Sequence, residues 1–237
     1  ELERDREIYT LFKENNIDHK TIFTGQHEDL IKEFENLTHR PDFVLEKTMK
    51  HKQSINSLIY KIINESQKTI NSYDCKVIIQ GDAASSFAVA LSAFNEGKEV
   101  IHVEAGLRTH NLRSPFPEEG FRKMISHISN IHFCPTIKSV ENLKNEGITE
   151  NVHLVGNTIV DSCAQIIEKG ESSDYLNELI SSNDDYYLCT LHRRENINNF
   201  QSMWEQLNQI SENKTIIYIK HPSCLLYTSP SPRDYGT

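Results

Sequence analysis

Apolar residues recur along this 237-residue chain in two alternating rhythms. One is the three-to-four spacing of a helix with a single buried stripe. The other is a short unbroken apolar run, the mark of a strand covered on both faces. The helical rhythm predicts elements over 1–15, 28–36 and 53–72, the last with Ile55, Leu58, Ile59, Ile62 and Ile63 at helical spacing. Strands are predicted over 18–24, 76–80 and 99–103, and an Ala-rich helix closed by Gly97 over 85–95. A helix over 118–129, a strand over 131–134, a helix over 137–146 ended by Gly147, a strand over 152–155 and a helix over 158–169 follow. Elements over 174–180, 186–191, 200–210 and 215–219 continue the alternation. Strands alternating with helices in this way imply an α/β fold, a parallel sheet with helices on both faces.

The stretch 170–174 is the most linker-like, and it divides the chain into a first domain over 1–170 and the start of a second over 171–222. A doubly wound domain should open with a strand, whereas this chain opens with a helix, so the first strand is expected to be missing. From 223 to 237 the chain reads SCLLYTSPSPRDYGT and loses the α/β rhythm. That segment is read as a non-native scar and is left out of the fold.

Composition narrows the function. Twenty-five Lys and Arg against 34 Asp and Glu leave a net charge of −9. An acidic chain is poorly suited to nucleic acid, whose phosphates need a basic surface. No apolar run nears the length a membrane span requires. The five cysteines follow no metal or disulfide spacing, which fits reduced thiols in a cytoplasm, and no metal or other cofactor is expected.

Three clusters could carry chemistry, each at the carboxyl end of a predicted strand, where parallel α/β sheets bind ligands. VIIQGD delivers Asp82, for which capping of the next helix is the structural alternative. VIHVEAG delivers Glu104, ahead of a long loop holding Arg108, His110 and Arg113 to meet negative charge. That loop ends in Pro117, Glu118 and Glu119. Both acids fall in the first turn of a helix, where the macrodipole alone explains one of them and leaves the other for the cleft. TLHRREN places His192, Arg193 and Arg194 after a strand, a set suited to a diphosphate. GxGxxG and P-loop motifs are absent from the sequence. Carboxylates beside a basic cluster suit chemistry on a nucleotide sugar, without naming the reaction.

HVEAGLRTHNLRSPFPEE, with QGD before it and HRREN after it, resembles the UDP-N-acetylglucosamine 2-epimerase family. FTGQH, FCPT and LVGNTIVD are similar to the family in matching order, so the likeness runs from about residue 1 to 222. It implies two Rossmann-like domains of the glycosyltransferase-B type, the first nearly complete here and the second truncated. It also implies inversion at C2 of UDP-N-acetylglucosamine by elimination and re-addition of UDP through a 2-acetamidoglucal, feeding surface polysaccharide synthesis. Matching motifs make Asp82, Glu104 and Glu118 the acid/base candidates and His192 the group assisting the departing UDP. Arg108, Arg113, Arg193 and Asn157 become candidates for binding substrate.

Gln26, His27 and Gln53 resemble the regulatory region of the non-hydrolysing bacterial members, which return UDP-N-acetylmannosamine. Hydrolysing members, which release the free sugar and UDP, and a glycosyltransferase of the same fold are the alternatives. The family's Gly-Thr-Arg-Pro-Glu loop and Ser-Gly-Gly segment are not found in this chain, and the chain by itself is expected to be inactive. The partners implied are a UDP-sugar and a second copy of the protein in a homodimer, with no nucleic acid and no membrane.

Overall fold

A computed structural model describes residues 2–25, 41–45, 53–170, 174–182, 185–190 and 199–219. The chain divides into two compact units, Glu1–Lys169 and Gly170–Thr237. In the first, strands β3 (Val77–Gln80), β4 (Val100–Val103), β5 (Ile131–Cys134) and β6 (Val152–Leu154) form a parallel sheet in sequence order. The register aligns Gln80 with Val103, His102 with His132, and Cys134 with Leu154. Consequently the loops after β3, β4 and β6 all leave from one edge, the carboxyl edge.

Helix α2 (Ile55–Asn71) precedes β3, the helices α3 (Ala84–Asn95), α4 (Glu118–Ile128) and α5 (Ile137–Asn145) lie between the strands, and α6 (Thr158–Lys169) follows β6. Ser54 caps α2 by accepting the Ser57 amide at 3.2 Å, and Thr136 caps α5 through the Ser139 amide at 3.2 Å. The Ala-rich α3 lets two neighbours approach closely: α2 packs on one side and α4 on the other. Their shared core holds Ile62, Ile79, Ala88, Ala90, Ala93, Val100 and Ile125, all buried. Phe87 of α3 stacks on Phe121 of α4 with ring centroids 4.9 Å apart, a contact specific to aromatic pairs.

Helix α1 (Leu2–Glu14) precedes a separate parallel pair, β1 (Ile22–Phe23) with β2 (Phe43–Val44). The strand expected over 18–24 is thus only two residues long, and its partner β2 was not foreseen. The helix expected over 28–36 lies outside the described residues. In the second unit, β7 (Tyr186–Cys189) pairs in parallel with β8 (Thr215–Tyr218), accompanied by α7 (Asp174–Ser181) and α8 (Phe200–Ser211). Trp204 meets Tyr218 edge to face at 4.9 Å. No helix among the described residues is long and apolar enough to cross a membrane.

Candidate functional site

The carboxyl edge of the four-stranded sheet carries a small pocket. It is lined by Gln80 from β3, Val103 at the end of β4, Glu104 directly after it, and Gly156, Asn157 and Thr158 leading into α6. Glu104 sits at φ +65, left-handed backbone that is strained for a residue with a side chain. The strain comes where the chain turns sharply out of β4 into the long loop.

Gly106, two residues on, has φ +81, and a Cβ there would stand 2.3 Å from the Ser139 carbonyl oxygen. No other residue fits where this loop is pressed onto α5. Asn142 of α5 completes the contact by donating to the Gly106 carbonyl at 2.9 Å.

Asp82 follows Gln80 in a turn that is held from three sides. Ser86 Oγ donates to the Gln80 carbonyl at 2.6 Å, the Gly81 amide donates to Val103 O at 3.1 Å, and His102 Nε2 lies 2.9 Å from the Gly81 carbonyl. A carbonyl only accepts, so Nε2 of His102 carries the proton. Burial pushes the His102 pKa down to about 3, which keeps the ring neutral. Helix α3 takes Ala83 as its N-cap, with no side-chain cap. The Asp82 carboxylate instead meets Arg122 of α4 at 2.5 Å.

Arg122 also reaches Glu119, at 3.3 Å. Glu119 is completely buried and accepts the backbone amides of Thr109 and His110 at 3.0 and 3.1 Å. Burial alone would raise its pKa, but these amides and Arg122 outweigh it and hold the carboxyl below its ordinary range. The two adjacent acids of the motif therefore divide: Glu119 anchors the loop, and Glu118 stays half-buried one helical turn before Arg122 on the same face.

Arg108 corrects an expectation. Its side chain is 0% exposed and grips Glu146 with Nε at 2.9 Å and Nη2 at 2.7 Å. Nη2 also donates to Ser126 Oγ at 2.9 Å and Nη1 to the Leu107 carbonyl at 2.8 Å. Arg108 drives the Glu146 carboxyl down to about 2, and Lys123 adds to the effect from 3.2 Å. An arginine expected to meet a ligand is buried as a brace beneath the loop.

Arg113 lies exposed in that loop, its backbone amide held by Asn111 Oδ1 at 3.0 Å. Asn157 lines the pocket while its Oδ1 accepts the Ile159 amide at 3.1 Å. Gln53 stands directly before the Ser54 cap of α2. His192, Arg193, Gln26 and His27 lie outside the described residues. Among the described residues no group of three His, Cys, Asp or Glu could hold a metal ion.

The site was thus missing four residues in the sequence reading: Gln80, His102, Glu119 as a loop anchor, and Arg122. Arg122 was within reach, because it falls four residues after Glu118 on a predicted helix and so shares its face.

The family model for UDP-N-acetylglucosamine 2-epimerase matches residues 10–225. This chain belongs to that family. A putative UDP-N-acetylglucosamine 2-epimerase of Clostridium acetobutylicum is 34% identical over 223 residues, covering 90% of this chain and 58% of that protein. A UDP-N-acetylglucosamine 2-epimerase of Campylobacter jejuni is 34% identical over 222 residues, covering 88% of this chain and again 58% of the relative. The chain therefore spans a little over half the length of these family members.

Among solved structures, the Neisseria meningitidis UDP-GlcNAc 2-epimerase bound to UDP-GlcNAc superposes with a TM-score of 0.84 at 28% identity. It is matched over 95% of this chain and 64% of its own. The Methanocaldococcus jannaschii enzyme in complex with UDP-GlcNAc and UDP gives 0.83 at 32%, over 96% of this chain and 65% of its own. The parallel α/β architecture is the one these epimerases share.

Proposed function

We propose that the protein carrying this chain inverts C2 of UDP-N-acetylglucosamine, giving UDP-N-acetylmannosamine. The observation that carries this is the grouping of Asp82 and Glu104 on adjacent loops at the carboxyl edge of the sheet, with Glu118 one turn from the arginine that grips Asp82. Membership of the epimerase family and the UDP-GlcNAc held by two structural relatives supply the substrate.

The chemistry needs such a grouping. No carbonyl flanks C2, so its proton becomes acidic only as the C1–O bond breaks and positive character builds at C1. A carboxylate takes the C2 proton while the C1–O electron pair leaves with UDP, giving a 2-acetamidoglucal. UDP then adds back at C1 as an acid delivers a proton to the opposite face of C2. Asp82, Glu104 and Glu118 are the base and acid groups in this reading. His192 and Arg193 offset the charge on the departing diphosphate, with Arg113 and Asn157 contacting substrate.

Gln26, His27 and Gln53 support the non-hydrolysing branch by their likeness to its regulatory region. The working form is a homodimer in the cytoplasm.

The test is proton NMR of UDP-N-acetylglucosamine in D2O with the whole protein. Deuterium at C2 together with a UDP-linked manno epimer is expected. Free N-acetylmannosamine plus UDP would move the protein to the hydrolysing branch. A C2 proton that persists through long incubation would sink the epimerase reading, and sugar transfer dependent on an acceptor would replace it with a glycosyltransferase.

A further inference from the structure

Gln80 lines the pocket, and its amide oxygen and amide nitrogen are both shut off from solvent with no hydrogen-bond partner among the described residues. The hydroxyl of Thr158 is in the same state. Stranded buried polar atoms are costly and uncommon in native proteins, and two such groups lining one small pocket call for a common cause.

A slack main chain is not that cause. The Gln80 backbone is paired with Val103 across the sheet and its carbonyl accepts from Ser86. Asn157, the remaining amide in the lining, has its oxygen committed to the Ile159 amide. The lining contains no cation, and its one ionisable side chain is the carboxylate of Glu104. The one charge in the lining is negative, which disfavours a phosphate. A neutral group that both gives and receives hydrogen bonds would meet a carboxamide, a hydroxyl and a carboxylate.

We propose that Gln80 and Thr158 form a sugar-binding position beside Glu104, hydrogen-bonding a ring hydroxyl or the acetamido group of the substrate. Neither residue belonged to the acid, base or diphosphate sets. The assignment rests on the reading of this pocket as the site of a UDP-linked amino sugar. Gln80 touches the sugar and leaves the uridine diphosphate alone, so its loss separates affinity for UDP-GlcNAc from affinity for UDP.

The experiment compares the whole protein with its Gln80→Met and Thr158→Val variants by calorimetric titration of UDP-GlcNAc and of UDP, with thermal melts alongside. Each variant keeps the shape of the side chain and removes its polar atoms. Expected is a loss of about tenfold or more in affinity for UDP-GlcNAc with UDP affinity unchanged. The melting temperature should hold or rise, because an apolar isostere strands nothing. Unchanged affinity for both ligands in both variants would overturn the assignment while leaving the epimerase reading intact. So would a lower melting temperature with both affinities falling together, which would make these groups part of the fold. A wild-type protein that binds UDP but not UDP-GlcNAc would instead fail the proposed function, and the sugar position with it.

Discussion

Nη2 of Arg122 lies 2.5 Å from Oδ2 of Asp82, joining the first helical turns of α4 to the turn that follows β3. The same guanidinium reaches Glu119, which holds the amides of Thr109 and His110. One side chain therefore ties a proposed acid/base group to the loop that leaves from another, Glu104. Replacing Arg122 by Met should free the Asp82 carboxylate to swing and lower kcat for C2 exchange by about a hundredfold, the scale of a misplaced reacting group. KM should change little. Arg122→Lys keeps the charge but loses the fork that spans two carboxylates, so it should recover only part of the rate. Steady-state kinetics on the three proteins check this.

Arg108 and Glu146 make a prediction about stability alone. Glu146→Ala leaves a fully buried guanidinium without its carboxylate, a change that costs about 3–5 kcal/mol in comparable buried pairs. Removing both partners, with Arg108→Met and Glu146→Leu, should cost less than Glu146→Ala alone, because no charge is then stranded. Urea unfolding of the single and double variants would show it. A single variant as stable as the parent would mean that the pair does not brace the loop.

His102 predicts how the fold responds to acid. Its pKa falls from 6.5 in the unfolded chain to about 3 in the fold, mainly through burial. Between those values the unfolded chain binds the extra proton, so stability is complete above pH 6.5 and declines as pH falls toward 3. The slope from this one group is at most about 1.4 kcal/mol per pH unit. Its sheet neighbour His132 is displaced in the same direction by burial. Glu146 acts in a lower window: Arg108 depresses its pKa, so its contribution is present above 4.5 and is lost as pH falls through about 2. Replacing His102 by Gln, which can still donate to the Gly81 carbonyl, should flatten the stability profile between pH 6.5 and 4.5. Unfolding free energies across that range would test it; an unchanged slope would remove His102 from the account.

Much of the frame was legible in the chain because its signals are local. Strands β3, β5 and helix α6 begin or end within a residue of the apolar runs that predicted them, and α3 begins one residue early. β2 was missed because a two-residue strand has no period to detect. The misreading of Arg108 has a different origin. Nothing near it in sequence distinguishes a ligand-facing arginine from a buried one, and its partner Glu146 lies 38 residues away. His102 shows the same dependence on distance: a histidine in an apolar strand is visible in the sequence, but its hold on Gly81 exists only once β3 and β4 pair. Gln80 could have been singled out as a polar residue at the end of the run VIIQ, directly before the turn that bears Asp82.

Helix α4 has a consequence for how this protein can change. Glu118, Glu119, Arg122, Lys123 and Ser126 leave it over little more than two turns; the first is a proposed acid/base group, and the others serve respectively the loop amides, Asp82, Glu146 and Arg108. Each added residue turns an α-helix by about 100°, so one insertion or deletion inside this span would aim all the later side chains at the wrong targets together. Point substitutions can adjust each of these contacts separately, but the length of α4 can only be inherited whole.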